Sequence, residues 1–113
     1  MCGMRIVRLK PYLRAMRRMG FSANDIESVE ADIVASWQIH PIVQGLRGVR
    51  KARIARPGTG KSGGARVIYY MSVGHGLLAM LTACAKSAQA DLSSDDRKAI
   101  LRAVSALTNG ETK

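Results

Sequence analysis

Apolar positions in the first part of the chain change from a short alternating stretch to helical spacing. Met4–Leu9 predicts a short strand, because Ile6 and Val7 lie there between arginines. A helix then begins near Pro11, which suits a first turn, and ends at Gly20, which can adopt a left-handed cap. Its apolar stripe consists of Tyr12, Ala15, Met16 and Met19.

A second helix has a stronger start signal. Ser22 and Asp25 have the spacing of a capping box, and Phe21 can pack on Ile26 as a hydrophobic staple. His40-Pro41 predicts the end of this helical hairpin, because the residue before a proline disfavours helix. The predicted apolar stripe consists of Ile26, Val29, Ile33 and Trp37.

The middle of the chain changes to a period of two. Val49–Arg56 alternates, so Lys51 and Arg53 share one face of a strand. Arg66–Ser72 and Leu77–Cys84 are apolar strands joined by a tight turn at residues 74–76. Consecutive strands with short connections predict an antiparallel meander.

The last apolar stripe is again helical. Ser93 and Asp96 predict the start of this helix, and Asn109-Gly110 predicts its end. Its stripe consists of Ile100, Leu101, Val104 and Leu107.

This order of elements predicts an α+β fold. We expect a single domain over residues 1–108 and a loose tail over residues 109–113. The N-terminal strand and the meander would form one antiparallel sheet, with the helical hairpin and the C-terminal helix on a single face. The other face would then be open to a ligand and lined by Lys51, Arg53 and Arg66.

Charge narrows the class of ligand. The 113 residues include 18 lysines and arginines against 8 acids, a net charge of +10. No acid lies between Ile33 and Ala90, a segment that contains most of the predicted open face. Such an excess favours a polyanionic partner, since cations that neutralise phosphates release counterions. The plainer interpretation is a basic protein that is merely soluble.

Several other classes fit poorly. Two cysteines are too few for a disulfide framework, and the N-terminus has no apolar signal core, so we expect a cytoplasmic protein. No apolar run approaches the ~20 residues that span a bilayer. A membrane-surface helix at Pro11–Met19 is disfavoured because the core needs that helix. The histidines and cysteines have no ligand spacing, so we expect no metal or cofactor.

The stretch Pro57–Ser62 resembles a phosphate-binding P-loop only superficially. The first glycine of that motif is replaced by Ala55, and the preceding strand is basic instead of apolar. A glycine-rich hairpin loop in which Lys61 contacts a nucleic-acid backbone fits better.

A basic face without carboxylates can still cleave RNA, because RNA supplies its own 2′-hydroxyl nucleophile. Arginines neutralise the charge that develops on the phosphorane. Lysine can exchange a proton when neighbouring cations favour its neutral amine. Lys51 is the best candidate for that role, and Lys86 is a second. Plain phosphate contacts remain an equal interpretation of the same residues.

Longer segments resemble the HigB-type members of the RelE toxin superfamily. The similarity comprises the basic strand from Gly48, the glycine-rich hairpin of residues 57–64 and the strand at Arg66–Tyr70. It continues through Ala83–Ser87 and on to Arg102. The combination of these segments is fairly specific to the family, whereas each segment alone is only weak evidence for it.

The resemblance implies a ribosome-dependent mRNA endonuclease that acts in the A site, next to ribosomal RNA, without metal. Attack by the 2′-hydroxyl would leave a 2′,3′-cyclic phosphate. The family's basic active-site positions correspond to Lys51, Arg53, Arg66 and Lys86. We expect further RNA contacts from Arg50, Arg56, Lys61 and Tyr70. The resemblance also implies a co-encoded helix-turn-helix antitoxin.

The chain departs from the family pattern at Cys84, at Ser87 and near Ser93, where some members have an aromatic, a basic residue and a tyrosine. Two alternatives to an active nuclease therefore stay open: an inactive toxin relative, and a non-catalytic basic RNA-binding module. A DNA-binding regulator is disfavoured, because no helix-turn-helix pair with a basic recognition helix is visible.

Overall fold

The computed structural model describes residues 4–46, 48–55, 64–85 and 93–112, with the side chains of the last helix described as far as Leu107. Two helices follow the first strand, three strands come next, and a helix ends the described chain. A 3₁₀ turn at Trp37–Ile39 extends the second helix. The elements are β1 (Arg5–Arg8), α1 (Lys10–Arg18), α2 (Ala23–Ser36), β2 (Val49–Ala55), β3 (Gly64–Ser72), β4 (Leu77–Ala85) and α3 (Ser94–Thr112).

The helical hairpin begins and turns where the sequence predicts. Gly20 ends α1 with a φ of +93°, a conformation that glycine adopts without steric cost. The Asp25 backbone N–H donates to Ser22 Oγ (3.1 Å), and the Ser22 N–H donates to Asp25 Oδ2 (2.9 Å). These reciprocal bonds form the predicted capping box, which satisfies two backbone donors at the start of α2.

The sheet has the strand order β1-β4-β3-β2, so β2 is an edge strand. The α+β class and the antiparallel meander of β2, β3 and β4 are confirmed. The expectation of a wholly antiparallel sheet is wrong, because β1 pairs in parallel with β4. The direction of β1 depends on how the intervening helices and strands return the chain, and its few residues contain no signal for that path.

Helices cover both faces of the sheet, which corrects the expectation of a single covered face. On one face, α1 and α2 pack on alternate residues of the strands, including Ala52, Val67 and Tyr69. On the other face, Ile100 and Val104 of α3 pack in a cluster whose strand members include Val49, Ile68, Ala79 and Leu81. The central strands are apolar on both faces, as in sheets that are buried on both sides. The open face is therefore limited to what α3 leaves uncovered.

The last helix starts as predicted but continues further. The Asp96 N–H donates to Ser93 Oγ (3.1 Å), and the Ser93 N–H donates to Asp96 Oδ2 (3.3 Å). α3 runs through Asn109 and Gly110 to Thr112, so the predicted end at that pair is wrong. Glycine inside a helix costs about 1 kcal/mol relative to alanine, which weakens a helix without having to end it.

An ion pair between an exposed arginine and a buried carboxylate connects the first strand to the helical hairpin. Glu30 is 2% exposed, and both of its carboxylate oxygens accept from the Arg8 guanidinium, at 2.6 and 2.7 Å. The Tyr12 hydroxyl donates to the same carboxylate (3.1 Å). The hydrogen bond to Glu30 raises the pKa of Arg8, and burial raises that of Tyr12. The carboxylate thus has partners that compensate its loss of water.

Among the helices described, none combines the length and the apolar character that a bilayer crossing requires.

Candidate functional site

Three predicted site residues lie together on the α3 side of the sheet, near the sheet edge that β2 and β3 form. Arg53 of β2 pairs directly with Arg66 of β3, and Lys51 pairs with Ile68. Side chains at paired positions point to the same side of the sheet. Lys51, Arg53 and Arg66 also line one groove of about 420 Å³, together with His40 and Pro41. We refer to this space as the cationic groove.

The neighbouring residues explain why the cations face outward. Ala52 and Val67 alternate with them along β2 and β3, and both are buried under α1 and α2. Arg53 is exposed, while Lys51 and Arg66 are half-buried. Like charges directly opposite each other weaken strand pairing. The direct pairing of Arg53 with Arg66 therefore does not by itself favour the sheet.

The chain segment of residues 37–43 lies along the outer edge of β2, and its residues His40 and Pro41 form one wall of the groove. The Lys51 N–H donates to the Pro41 carbonyl (3.0 Å), and the Val43 N–H donates to the Val49 carbonyl (2.8 Å). Ile42 forms an antiparallel bridge with Arg50. These bonds bring Pro41 beside Lys51 and extend the sheet edge by a few residues.

Arg50 holds this segment in place from the other face of the sheet. Its Nη1 donates to the His40 carbonyl (2.6 Å) and to the Gln38 carbonyl (3.3 Å). Its guanidinium carbon also lies 5.0 Å from the centre of the Trp37 ring, a cation–π distance. The structure thus separates Arg50 from the cationic groove, and its RNA contact stays a prediction.

His40 and Tyr69 form a second connection to the same segment. The Tyr69 hydroxyl donates to the Trp37 carbonyl (2.9 Å) and lies 2.8 Å from His40 Nδ1. Since the hydroxyl has one proton, His40 Nδ1 must carry its own proton and donate to Tyr69. Burial lowers the pKa of His40, and the nearby Arg50 cation adds to this effect. Burial raises the pKa of Tyr69 to about 12, so this network is neutral at pH 7.

Sequence reasoning missed this network. It found in Tyr69 only a residue of a strand and in His40 only the end of the hairpin. Tyr69 is indeed fully buried, but its hydroxyl bonds to residues 29 and 32 positions away. No spacing rule connects residues at such separations, so only the folded chain reveals the contact.

Comparison with known proteins identifies the family. A sequence model described as the RelE toxin of the RelE / RelB toxin-antitoxin system matches residues 4–113. The chain belongs to this family. Its fold is also similar to the free-state structure of a double Arg-to-Ala mutant of the E. coli toxin RelE, with a TM-score of 0.61 and 12% sequence identity. That match covers 91% of this chain and 99% of the E. coli chain.

Family membership makes this RelE-family protein the toxin component of a toxin–antitoxin system and implies an antitoxin partner. At 12% identity, the structural similarity concerns the fold alone. What the toxin does must therefore be argued from its own groove.

The other predicted site residues have different outcomes. Tyr70 lies on the groove side of β3, as alternation predicts, but it is half-buried in the α3-side cluster. The Tyr70 ring also lies next to Gly48: a Cβ atom added to this glycine would lie 3.8 Å from one of the ring carbons. Its RNA contact stays a prediction. Arg56, Lys61 and Lys86 lie outside the described residues.

The described groove can bind and orient an anion. Its lining contains two guanidinium groups and one ammonium group, and no carboxylate is among the lining residues. Guanidinium forks bind phosphate oxygens in pairs, whereas ammonium acts as a compact charge with exchangeable protons. Within the described ranges, no group of three or more His, Cys, Asp or Glu side chains could hold a metal ion.

Proposed function

We propose that this RelE-family toxin acts in the cytoplasm as a metal-independent endoribonuclease that cleaves messenger RNA in the ribosomal A site. The 2′-hydroxyl of the message attacks the adjacent phosphate, and the products carry a 2′,3′-cyclic phosphate and a 5′-hydroxyl. The antitoxin that neutralises it is a co-encoded helix-turn-helix protein.

This proposal depends on one observation: Lys51, Arg53 and Arg66 line the same groove in a chain of the RelE family. Its volume of about 420 Å³ falls in the range of small-molecule sites, which is ~300–1,000 Å³. A dinucleotide step with its phosphate is a ligand of this class. The cations of the groove match the charge of that phosphate.

Each cation has a role that its chemistry supports. Arg53 and Arg66 lie at paired positions on the adjacent strands β2 and β3, and both bind non-bridging oxygens of the scissile phosphate. They stabilise the extra negative charge of the phosphorane, which is larger than that of the ground state. Lys51 exchanges a proton with the 2′-hydroxyl or with the leaving 5′-oxygen, and Lys86 is the second candidate for that step.

The test uses purified ribosomes that hold a defined message with an empty A site. We expect the toxin to cut the message there in the presence of EDTA and to leave cyclic-phosphate ends. A message with a single 2′-deoxynucleotide at the cut position should resist cleavage, because the nucleophile is missing. Cleavage of that deoxy message would contradict the mechanism.

Non-catalytic RNA binding is the other outcome of this experiment. In that case the toxin binds ribosomes with steep salt dependence, but the message stays intact. An intact message at saturating toxin would overturn the proposed cleavage and leave the groove as a binding site.

A further inference from the structure

A second groove lies between α2 and the end of β2, next to the cationic groove. Its volume is about 510 Å³, and Val29, Ile33 and Ile54 contribute apolar side chains to its lining. Arg53 and His40 line both grooves, so the two spaces adjoin at these residues. We refer to the second space as the α2 groove.

The outer edge of β2 is open where the two grooves adjoin. The segment of residues 37–43 covers this edge as far as Lys51, whose N–H donates to the Pro41 carbonyl. Backbone groups of alternate residues point to the same edge, so those of Arg53 face outward beyond this bond. Among the described residues, no segment pairs with Arg53 on that side. A single strand bound at Arg53 can therefore pass from one groove into the other.

Polar side chains of α2 form one side of the α2 groove. They follow one another at intervals of three or four residues, so they share one face of the helix. They are Asp25, Ser28, Asp32 and Ser36. This face offers hydrogen-bond acceptors to a ligand, whereas the lysine and arginines of the cationic groove offer only donors.

The carboxylate of Asp32 is available to such a ligand. The side chain is exposed, and among the described residues it forms neither a hydrogen bond nor an ion pair. Asp25 differs, because its carboxylate accepts from the Ser22 N–H in the capping box. Asp32 therefore presents two adjacent acceptor oxygens that the fold does not use.

The chemistry of the α2 groove fits a nucleobase. Its volume lies in the ~300–1,000 Å³ range of small-molecule sites. An unstacked base presents its flat faces to apolar side chains and its edge to polar ones. Val29 and Ile33 supply apolar surface, and Asp32 supplies the acceptors. Among the RNA bases, guanine has two neighbouring donors on its Watson–Crick edge, N1–H and the N2 amino group, which match the two oxygens of a carboxylate.

Continuity with the cationic groove favours RNA over a protein segment. Arg53 lines both spaces, so a phosphate that it binds brings the attached nucleoside to the entrance of the α2 groove. A basic peptide also suits the charge of Asp32. The exposed Arg53 at the entrance repels such a peptide, however, and attracts a phosphate.

We propose that the α2 groove holds a guanine base of the message beside the scissile phosphate, and that Asp32 accepts hydrogen bonds from its N1–H and N2 amino groups. This inference rests on the proposed function and assigns base selection to a residue outside the cationic groove. The cationic groove binds the phosphate, and the α2 groove selects the nucleotide. Asp32 takes no part in the chemical step.

The test measures base preference on purified ribosomes. The message carries a randomised codon in the A site, and sequencing of the cut ends gives relative cleavage rates for each base beside the cut. The variant is Asp32→Asn. The matched control is Glu27→Gln, which neutralises an exposed carboxylate of α2 that does not line the α2 groove. Circular dichroism and thermal melting confirm that both variants fold.

We expect the wild type to favour guanine over adenine at one position beside the cut by about 5- to 150-fold, the range for one bidentate contact. Inosine at that position, which lacks the N2 amino group, should reduce the preference. Asp32→Asn should move the preference towards adenine, because an amide offers one donor and one acceptor, which match the edge of adenine. Glu27→Gln should keep the preference of the wild type.

Other results overturn the inference or separate it from the proposed function. Cleavage without guanine preference, or with equal preference in the wild type and Asp32→Asn, would overturn the inference while cleavage stands. If Asp32→Asn instead loses affinity for the purified antitoxin at an unchanged base preference, the α2 groove binds a protein segment.

An intact message would shift the measurement to binding. The toxin is then titrated against ribosomes that hold guanine or adenine messages. A guanine preference that depends on Asp32 would overturn the proposed cleavage and support this inference, whereas equal affinities would overturn both.

Discussion

The two sides of the sheet use arginine in opposite ways. On the α1–α2 side, Arg8 donates to Glu30, whose buried carboxylate also accepts from the Tyr12 hydroxyl. On the α3 side, Arg53 lies directly opposite Arg66 in a groove whose lining residues include no carboxylate. The first arrangement neutralises charge inside the fold, whereas the second gathers charge at the surface. The surrounding groups thus distinguish an arginine that pairs with a buried carboxylate from arginines that line a groove.

The largest expected effect concerns the groove. Arg66→Ala should lower kcat for ribosome-dependent cleavage by about 10²–10³-fold, since one preorganised donor to the transition state is lost. Single-turnover cleavage of a ribosome-bound message measures this change. Arg102→Ala, which removes an exposed cation from α3, is the matched control and should leave cleavage unchanged. Full activity of the Arg66 variant would refute the assignment of the groove.

On the opposite side, Glu30→Ala should affect stability and not chemistry. It leaves the Tyr12 hydroxyl and the partly exposed Arg8 without their shared acceptor, and the loss of these hydrogen bonds should lower the free energy of unfolding by about 2 kcal/mol. Urea titration followed by circular dichroism measures the loss. Glu27→Ala, at an exposed position of the same helix, should change stability by no more than about 0.5 kcal/mol. Equal losses for the two variants would contradict the structural role of the ion pair.

The two buried tyrosines sharpen the comparison further. Tyr12→Phe and Tyr69→Phe each remove a buried hydroxyl and should each cost about 1–2 kcal/mol of stability. Only Tyr69 holds the segment that forms the wall of the cationic groove. We therefore expect Tyr69→Phe to lower cleavage several-fold under conditions where both variants are folded, and Tyr12→Phe to leave it unchanged. The same assay applied to both proteins decides the point.

The smallest expected effect is a dependence of stability on pH. Burial lowers the pKa of His40 in the folded protein below its ordinary value of 6.5. The folded state therefore binds this proton less readily than the unfolded state, and the free energy of unfolding falls as the pH drops below 6.5. Urea titrations of the wild type and of His40→Asn, above and below this pH, measure the difference. An equal loss on acidification in both proteins would exclude His40 as its source.

Much of the fold follows from local patterns. Capping boxes at Ser22 and Ser93, the left-handed Gly20 and the strict alternation in β2 each constrain only a few neighbouring residues. Such signals can be read without knowing the rest of the structure. The expected end of α3 at Asn109 failed because helix propensity is weak compared with the interactions that a long helix makes elsewhere along its length.

The sequence also predicted that Lys51, Arg53 and Arg66 share one face of the sheet, for a physical reason. Alternation in a strand assigns each side chain to a face, and antiparallel pairing of adjacent strands then brings Arg53 opposite Arg66. For Arg50, whose RNA contact stays a prediction, the folded chain provides partners that the sequence did not indicate. They are the carbonyl groups of Gln38 and His40 and the ring of Trp37.

By itself, then, the sequence determined the helix starts, the meander, the face occupied by Lys51, Arg53 and Arg66, and the likeness to RelE-type toxins. The tertiary structure alone decided that β1 runs parallel to β4, that α3 covers the second face, and that His40 and Tyr69 support the wall of the groove. The first group depends on residues that are near in sequence or in adjacent strands. The second depends on how segments that are distant in sequence pack against one another. That packing is governed by the total burial of apolar surface, which no single residue determines.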